Sequence, residues 1–321
     1  MKIMVAGGAG YIGSLLIPYL LEHGYEVDVI DLLWFGNSLP KTVKVIKKDL
    51  FDCQKEDFVG YDQMIFLAGL SNDPMAEFSP SLNFRSNGAL PSYLAYVAKL
   101  VGVKRFIYGS SCSVYGYTVN ELYNEESPVT CSYPYGISKL QGERGVLQLQ
   151  DEDFSVIALR QGTVSGYSPR MRFDLIVNTM YKSAILAGKI TVNNASIWRP
   201  LLDIRDAIRG YLRAVQAHQS ISGVFNVISD NYTVGAVGDM VKEGVEELIG
   251  KKVAIEIKNL QDFRNYKVTG QKARTVLGFE PKYNVMDMLT EIHSHRDSLG
   301  DLDQHNYYNI RRFKQLNLGK S

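Results

Sequence analysis

Tyr135 and Lys139 stand four positions apart in "YPYGISK", residues 133–139. At 3.6 residues per helical turn, positions i and i+4 share a face, so a phenol and an ammonium would point into one space. A tyrosine at its ordinary pKa of about 10 is a poor base near neutrality, and a fixed cation beside it favours the phenolate. Each unit of lowering corresponds to about 1.4 kcal/mol, so two or three units would make Tyr135 a usable general base. A YxxxK pair taken alone is more often a solvated helix face. Its meaning depends on what else the chain carries.

Two further patterns supply that context. "VAGGAGYIG" sets Gly7, Gly10 and Gly13 in GxxGxxG spacing, with Gly8 also completing GxGxxG, between an apolar strand-like run and a helix-like one. Glycine lets such a turn be tight and lets backbone approach a pyrophosphate, which the following helix N-terminus stabilises. Asp31 closes the next strand-like run, "EVDVID", where an acid can take the adenosine ribose hydroxyls of a dinucleotide. A 2′-phosphate would be repelled there and no Arg or Lys immediately follows, so NAD is expected rather than NADP. An oxidised nicotinamide would also favour the phenolate of Tyr135. "FIYGSSCSVYG" places the hydroxyls of Ser110 and Ser111 at the carboxyl end of another strand, where open α/β sheets bind ligands.

Elements to position these residues are legible. "KIMVAG", "EVDVIDL", "VKVIKKDL", "QMIFLAG", "RFIYGSS" and "SVIALRQG" read as strands, with helices over 11–23, 88–101 and 135–150. Apolar strands separated by helices imply a doubly wound parallel sheet, a Rossmann-type α/β fold. The expected division is a NAD-binding domain over 1–168, to which 200–229 returns. A smaller C-terminal α/β substrate domain then spans 169–199 and 230–310, and 311–321 is a polar tail that wraps a surface or frays.

Bulk composition limits the partners. Of 321 residues, 45% are hydrophobic, and 35 Lys and Arg against 34 Asp and Glu leave a formal net charge of +1. That balance gives no field to attract nucleic acid or an anionic membrane. No apolar run reaches the roughly 18 residues of a spanning helix, so neither a membrane nor a targeting segment is expected. Cys53, Cys112 and Cys131 form no CxxC pair, which argues against disulfides or zinc and for a reducing cytoplasm. His293 and His295 would point apart on a helix, and no metal is assigned.

The chain resembles the extended short-chain dehydrogenases/reductases of the nucleotide-sugar epimerase/dehydratase group, and is best compared with the UDP-glucose 4-epimerases. "GGAGYIG", Asp31, "KDL", "FLAGL", Asn87, "SSCSVYG", "YGISK" and "LGFEP" carry the likeness, which covers residues 1 to about 290. It implies that NAD is held by Gly7, Gly10, Tyr11, Ile12, Gly13, Asp31, Asp49, Leu50, Leu67, Ala68, Gly69, Asn87, Tyr135 and Lys139. Ser111, Tyr135 and Lys139 would be catalytic. Tyr135 is the acid/base, Lys139 holds the nicotinamide ribose and lowers the tyrosine pKa, and Ser111 hydrogen-bonds the reacting sugar oxygen. A nucleoside diphosphate sugar would meet Ser111, Thr163, Asn178, Arg199, Asp262 and Arg264, the two arginines serving its phosphates. Relatives commonly pair as homodimers through the helices near 88–101 and 135–150.

Departures from the family pattern bear on the reaction. Dehydratases commonly carry acids in the two places after the catalytic Ser or Thr, and here these are Cys112 and Ser113. Thr163 replaces an asparagine that often contacts the sugar nucleotide, and Ser71 replaces a lysine often found after "AGL". Arg170 and Arg172 flank an entrance loop or are solvated charge. The expected activity is C4 epimerisation of a nucleoside diphosphate sugar. Alternatives are a 4-dehydrogenase or ketoreductase that releases its product and, more remotely, a noncatalytic NAD-sensing protein.

Overall fold

The computed structural model describes residues 1–259 and 264–318. Seven short segments build its main sheet: β1 (Lys2–Ala6), β2 (Glu26–Asp31), β3 (Lys44–Lys47), β4 (Gln63–Phe66), β5 (Arg105–Ser111), β6 (Ser155–Gln161) and β7 (Gly223–Val227). All neighbours run parallel, in the order β7-β6-β5-β4-β1-β2-β3. β4 and β6 are buried along their whole length, as strands must be when helices cover both faces. This is the Rossmann-type arrangement expected from the sequence. Strand order reverses between β1 and β4, which opens a crevice at their carboxyl ends, where such sheets bind ligands.

Alternation along each strand feeds two cores. Ile3, Val5, Ile65, Ile107 and Ile157 face the helices Gly13–Glu22 and Ile204–Gln216. Met4, Ala6, Met64, Phe66 and Phe106 face Leu90–Leu100 and Pro134–Leu147. A third core joins the helices Ile176–Ala187, Val234–Ile249 and Val285–Ser294 to the parallel strand pair Lys189–Asn193 and Ala254–Lys258. It reaches the glycine turn through Tyr11, whose hydroxyl donates to the Gly166 carbonyl at 2.6 Å, while Ser168 Oγ donates to the Tyr11 carbonyl at 2.7 Å. The functional crevice is therefore walled by both layers. Among the described residues, no helix is long and apolar enough to cross a membrane.

The helix carrying Tyr135 is fixed to the sheet by glycines and one buried ion pair. A Cβ at Gly142 would stand 2.2 Å from the Asn87 carbonyl oxygen, and one at Gly136 2.8 Å from that of Ser113. Nothing larger than glycine permits these approaches. Behind them, Arg160 of β6 grips Glu143 with Nε to Oε2 at 2.9 Å and Nη2 to Oε1 at 2.6 Å. Both side chains are almost wholly buried. Removing one member of such a pair leaves the other charge unmatched. Glu143→Ala is expected to lower stability by about 3–5 kcal/mol, read as a shifted urea midpoint, whereas Glu143→Leu combined with Arg160→Met should cost much less.

Candidate active site

The crevice encloses a cavity of about 580 Å³, a size usual for ligand sites. At one end lies the glycine turn. Gly7, which follows β1, has φ +80, and a Cβ there would stand 2.6 Å from the backbone of Ala68; one at Gly13 would meet the Gly8 carbonyl oxygen at 2.2 Å. No side chain caps the helix that begins at Gly13, and Gly10, Tyr11, Ile12 and Gly13 line the cavity. Asp31 ties this turn to the end of β2, its carboxylate accepting from the Ala9 amide at 3.0 Å and the Leu33 amide at 2.7 Å. Burial pushes the Asp31 carboxyl upward, and those amides with the charge of Arg170 oppose it. The cradle fits a dinucleotide: close-approach glycines, a helix N-terminus and a ribose-side acid meet in one place.

Ser111 and Tyr135 meet at the middle of the cavity. Ser111 ends β5, and its Oγ accepts from Ser113 N at 3.2 Å and Ser113 Oγ at 2.9 Å. Ser110 is spent elsewhere, donating to Glu143 Oε2 at 2.6 Å. Tyr135 follows Pro134 in the first turn of its helix and lies beside Ser111 and the Asn72 backbone, both of which favour its ionised form. Asn72 holds φ 77 and ψ 160, a strained conformation for a residue with a Cβ, of the kind concentrated at functional sites. Cys112 turns away from the cavity, its thiol on the Arg160 carbonyl at 3.2 Å and its pKa raised by burial.

The electrostatics of Tyr135 are set first by burial. Burial pushes the phenol up to about 12 and Asp73 adds to the rise, while Ser111, Arg172 and the Asn72 backbone oppose it. Lys139 is not among these leading influences. Its Nζ donates to the Gly109 carbonyl at 2.8 Å and lies 5.0 Å from the Tyr108 ring centroid, and burial lowers its own pKa to about 8. Arg172 is a cation that favours the Tyr135 phenolate, held by Asp174 through Nε at 2.8 Å and Nη2 at 3.1 Å, with Nη1 donating to Ser71 Oγ at 2.7 Å. Ser71 stands where the family resemblance expects a lysine, so a distant loop returns the positive charge to that place.

Thr163, Arg199 and Arg264 line the same cavity, with Leu67 and Gly69 on the sheet side. Arg264 pairs with Asp73 at 2.5 Å; Arg199 donates to the Trp198 carbonyl at 2.8 Å and to that of Arg264. Asp262 lies outside the described residues. Asn178 is a correction: wholly buried and absent from the cavity wall, it accepts from Gly166 N and donates to Arg172 O and Gly166 O, so its amide holds the loop instead of facing a ligand. Asp31, Asp49, Leu50, Ala68, Asn87 and Lys139 stand behind or beside the wall. Asp49 Oδ1 caps Phe51 N at 3.0 Å, Leu50 is core, and Ala68 backs Gly7. Asn87 sits in a π-helical turn, its Nδ2 donating to Leu70 O at 2.8 Å and its Oδ1 buried without a partner. Sequence reasoning missed Asn72 and Asp73, and it left Arg172 between an entrance loop and solvated charge; the lost lysine at Ser71 was a signal for a replacement cation.

A family model described as the NAD dependent epimerase/dehydratase family matches residues 3–227. The chain belongs to that family. It is thus an NAD-dependent enzyme of the epimerase/dehydratase class. It is 27% identical over 332 residues to UDP-glucose 4-epimerase of Bacillus subtilis strain 168, which covers 91% of this chain and 95% of that protein. Among solved structures, UDP-glucuronic acid 4-epimerase of Bacillus cereus, bound to UDP-glucuronic acid and NAD, superposes with a TM-score of 0.81 at 23% identity, over 93% of this chain and 100% of that one. DesIV, a dTDP-glucose 4,6-dehydratase of Streptomyces venezuelae, gives 0.83 at 18% identity over 97% and 100%. An epimerase and a dehydratase fit equally well, so the fold alone does not select the reaction. Within this family member, Arg172 favours the phenolate, and its loss must raise the Tyr135 pKa further. Arg172→Met is expected to move the alkaline-rising limb of the pH–rate profile upward by about one unit, roughly tenfold in rate near neutrality; an unmoved limb would remove Arg172 from this role.

Proposed function

We propose that the protein is an NAD-dependent nucleotide-sugar epimerase that inverts C4 of a nucleoside diphosphate sugar. The observation that carries this reading is Tyr135 beside Ser111 in one cavity that is also lined by the glycine cradle, Arg199 and Arg264. Ser111 and Tyr135 hold the oxygen at the reacting carbon, and Tyr135 takes the hydroxyl proton as the carbon is oxidised. NAD held over the glycine turn at Gly7, Gly10 and Gly13 would supply the reversible hydride acceptor for that carbon. Having taken that proton, Tyr135 is equally placed to give it back to the ketone oxygen. Arg199 and Arg264 suit the diphosphate, whose charge they can meet with forked donors while the sugar turns. The turned ketone regains hydride on its opposite face, so oxidation and reduction balance within one cycle.

Dehydration is disfavoured by the same geometry. It needs acid/base groups at the two places after Ser111, where Cys112 is buried away from the cavity and Ser113 is bonded to Ser111. A dehydrogenase that releases the ketone uses the same residues and is separated by experiment. Incubation with UDP-, GDP- and dTDP-sugars is expected to give the C4 isomer without net NADH; stoichiometric NADH with free ketone would establish the dehydrogenase instead. Tyr135→Phe is expected to lower turnover by about 10²- to 10⁴-fold while leaving NAD content unchanged on gel filtration.

The proposal includes a cytoplasmic homodimer. All three cysteines are free thiols. On the helix Leu90–Leu100, Tyr93, Tyr96 and Leu100 present one exposed apolar face at 40%, 50% and 59% exposure, which suits a partner helix. Tyr96→Arg is expected to halve the mass seen by light scattering; a wild-type protein that is already monomeric would end the dimer reading.

A further inference from the structure

We infer that Arg170 is a phosphate ligand of the dinucleotide, held in position by the C-terminal helix Asn309–Gln315. This rests on the family's cofactor and is independent of the C4 reading. Arg170 is 7% exposed and lines the cavity with Gly7, Gly10, Tyr11 and Phe35. Its guanidinium lies 3.6 Å from the Phe35 ring centroid, and Nη2 donates to Asn309 Oδ1. Nε and Nη1 are buried with no partner. Arg172, two residues on, has its guanidinium matched by Asp174 and Ser71. A buried guanidinium with unmet donors is costly unless an anion meets it, and a phosphate offers the forked geometry it needs. The glycine cradle in the same cavity is built for a pyrophosphate.

The C-terminal helix spans the two banks of the cleft. Asn309 Nδ2 donates to Ser71 Oγ at 3.3 Å and its backbone N to Asp174 Oδ2 at 3.4 Å. Arg312 Nε donates to the Trp34 carbonyl at 2.6 Å, and Phe313 packs edge-on to Trp34 at 4.9 Å, in a cluster with Leu70 and Met75. Trp34 and Phe35 follow β2, whereas Leu70 and Ser71 follow β4, the strands on either side of β1. Asn309 is thus a positioning residue that orients Arg170 from across the cleft.

The test uses the full chain freed of nucleotide. Arg170→Met is expected to weaken NADH binding by about 10- to 100-fold in fluorescence titration, and to abolish thermal stabilisation by ADP and ADP-ribose. Stabilisation by adenosine and by UDP should match wild type. Arg170→Lys, which keeps charge without the fork and guards against a misfolded methionine variant, should lose about tenfold at an unchanged melting temperature. Asn309→Ala should speed NADH release several-fold by stopped flow. NADH affinity within twofold of wild type in both Arg170 variants would overturn the inference. So would loss of the UDP response with the ADP response kept, which would give Arg170 to the sugar nucleotide. A wild-type preference for NADPH that Arg170→Met removes would likewise overturn it, by moving the anion to a 2′-phosphate.

Discussion

The site depends on how closely the helix Pro134–Leu147 approaches the end of β5. Gly136 lies against the Ser113 carbonyl and Gly142 against that of Asn87, with no room for a Cβ at either. Such contact brings Tyr135 onto Ser111 without any long side chain to adjust the distance. The Glu143–Arg160 pair holds the helix from behind, and Arg160 Nη1 extends the network to the Tyr115 hydroxyl at 2.8 Å. Buried ion pairs are weak sources of net stability, yet they tolerate few alternative arrangements. Here the pair fixes the rotation of the helix about its axis, which decides that Ser111 faces Tyr135 while Ser110 faces Glu143.

Burial creates the electrical problem that the surrounding residues must answer. A phenol taken out of water resists ionisation, and Asp73 makes this worse for Tyr135. Lys139, buried as well, donates to the Gly109 carbonyl. Arg172 opposes the rise, its guanidinium keeping its charge when buried while Asp174 fixes two of its nitrogens and Ser71 a third. Asp174 serves two purposes, since it also accepts from the backbone of Asn309. One carboxylate thereby links the loop beside the phenol to the helix that spans the cleft.

Sequence order alone was enough for the parallel sheet, the glycine turn, Asp31, and the Tyr135–Lys139 pair on its helix. Each is a local pattern: apolar runs of strand length, glycines at fixed offsets, and an i, i+4 spacing that holds wherever the helix packs. Ser111 was also legible, because a hydroxyl at a strand's carboxyl end falls in the crevice of any such sheet.

Tertiary structure decided the rest, because charges and hydrogen bonds act through space between segments far apart in the chain. Arg172 reaches Ser71 across 101 positions, and Asn309 reaches Arg170 across 139. No spacing rule encodes either meeting. Asn178 shows the converse: an amide well placed in sequence to touch a ligand is consumed by the Gly166 backbone and the Arg172 carbonyl once the loop folds over it. Residue types and local periodicity determined which chemistry the chain can attempt. Long-range packing determined which charges surround the tyrosine, since burial, partner and distance exist only after the segments have come together.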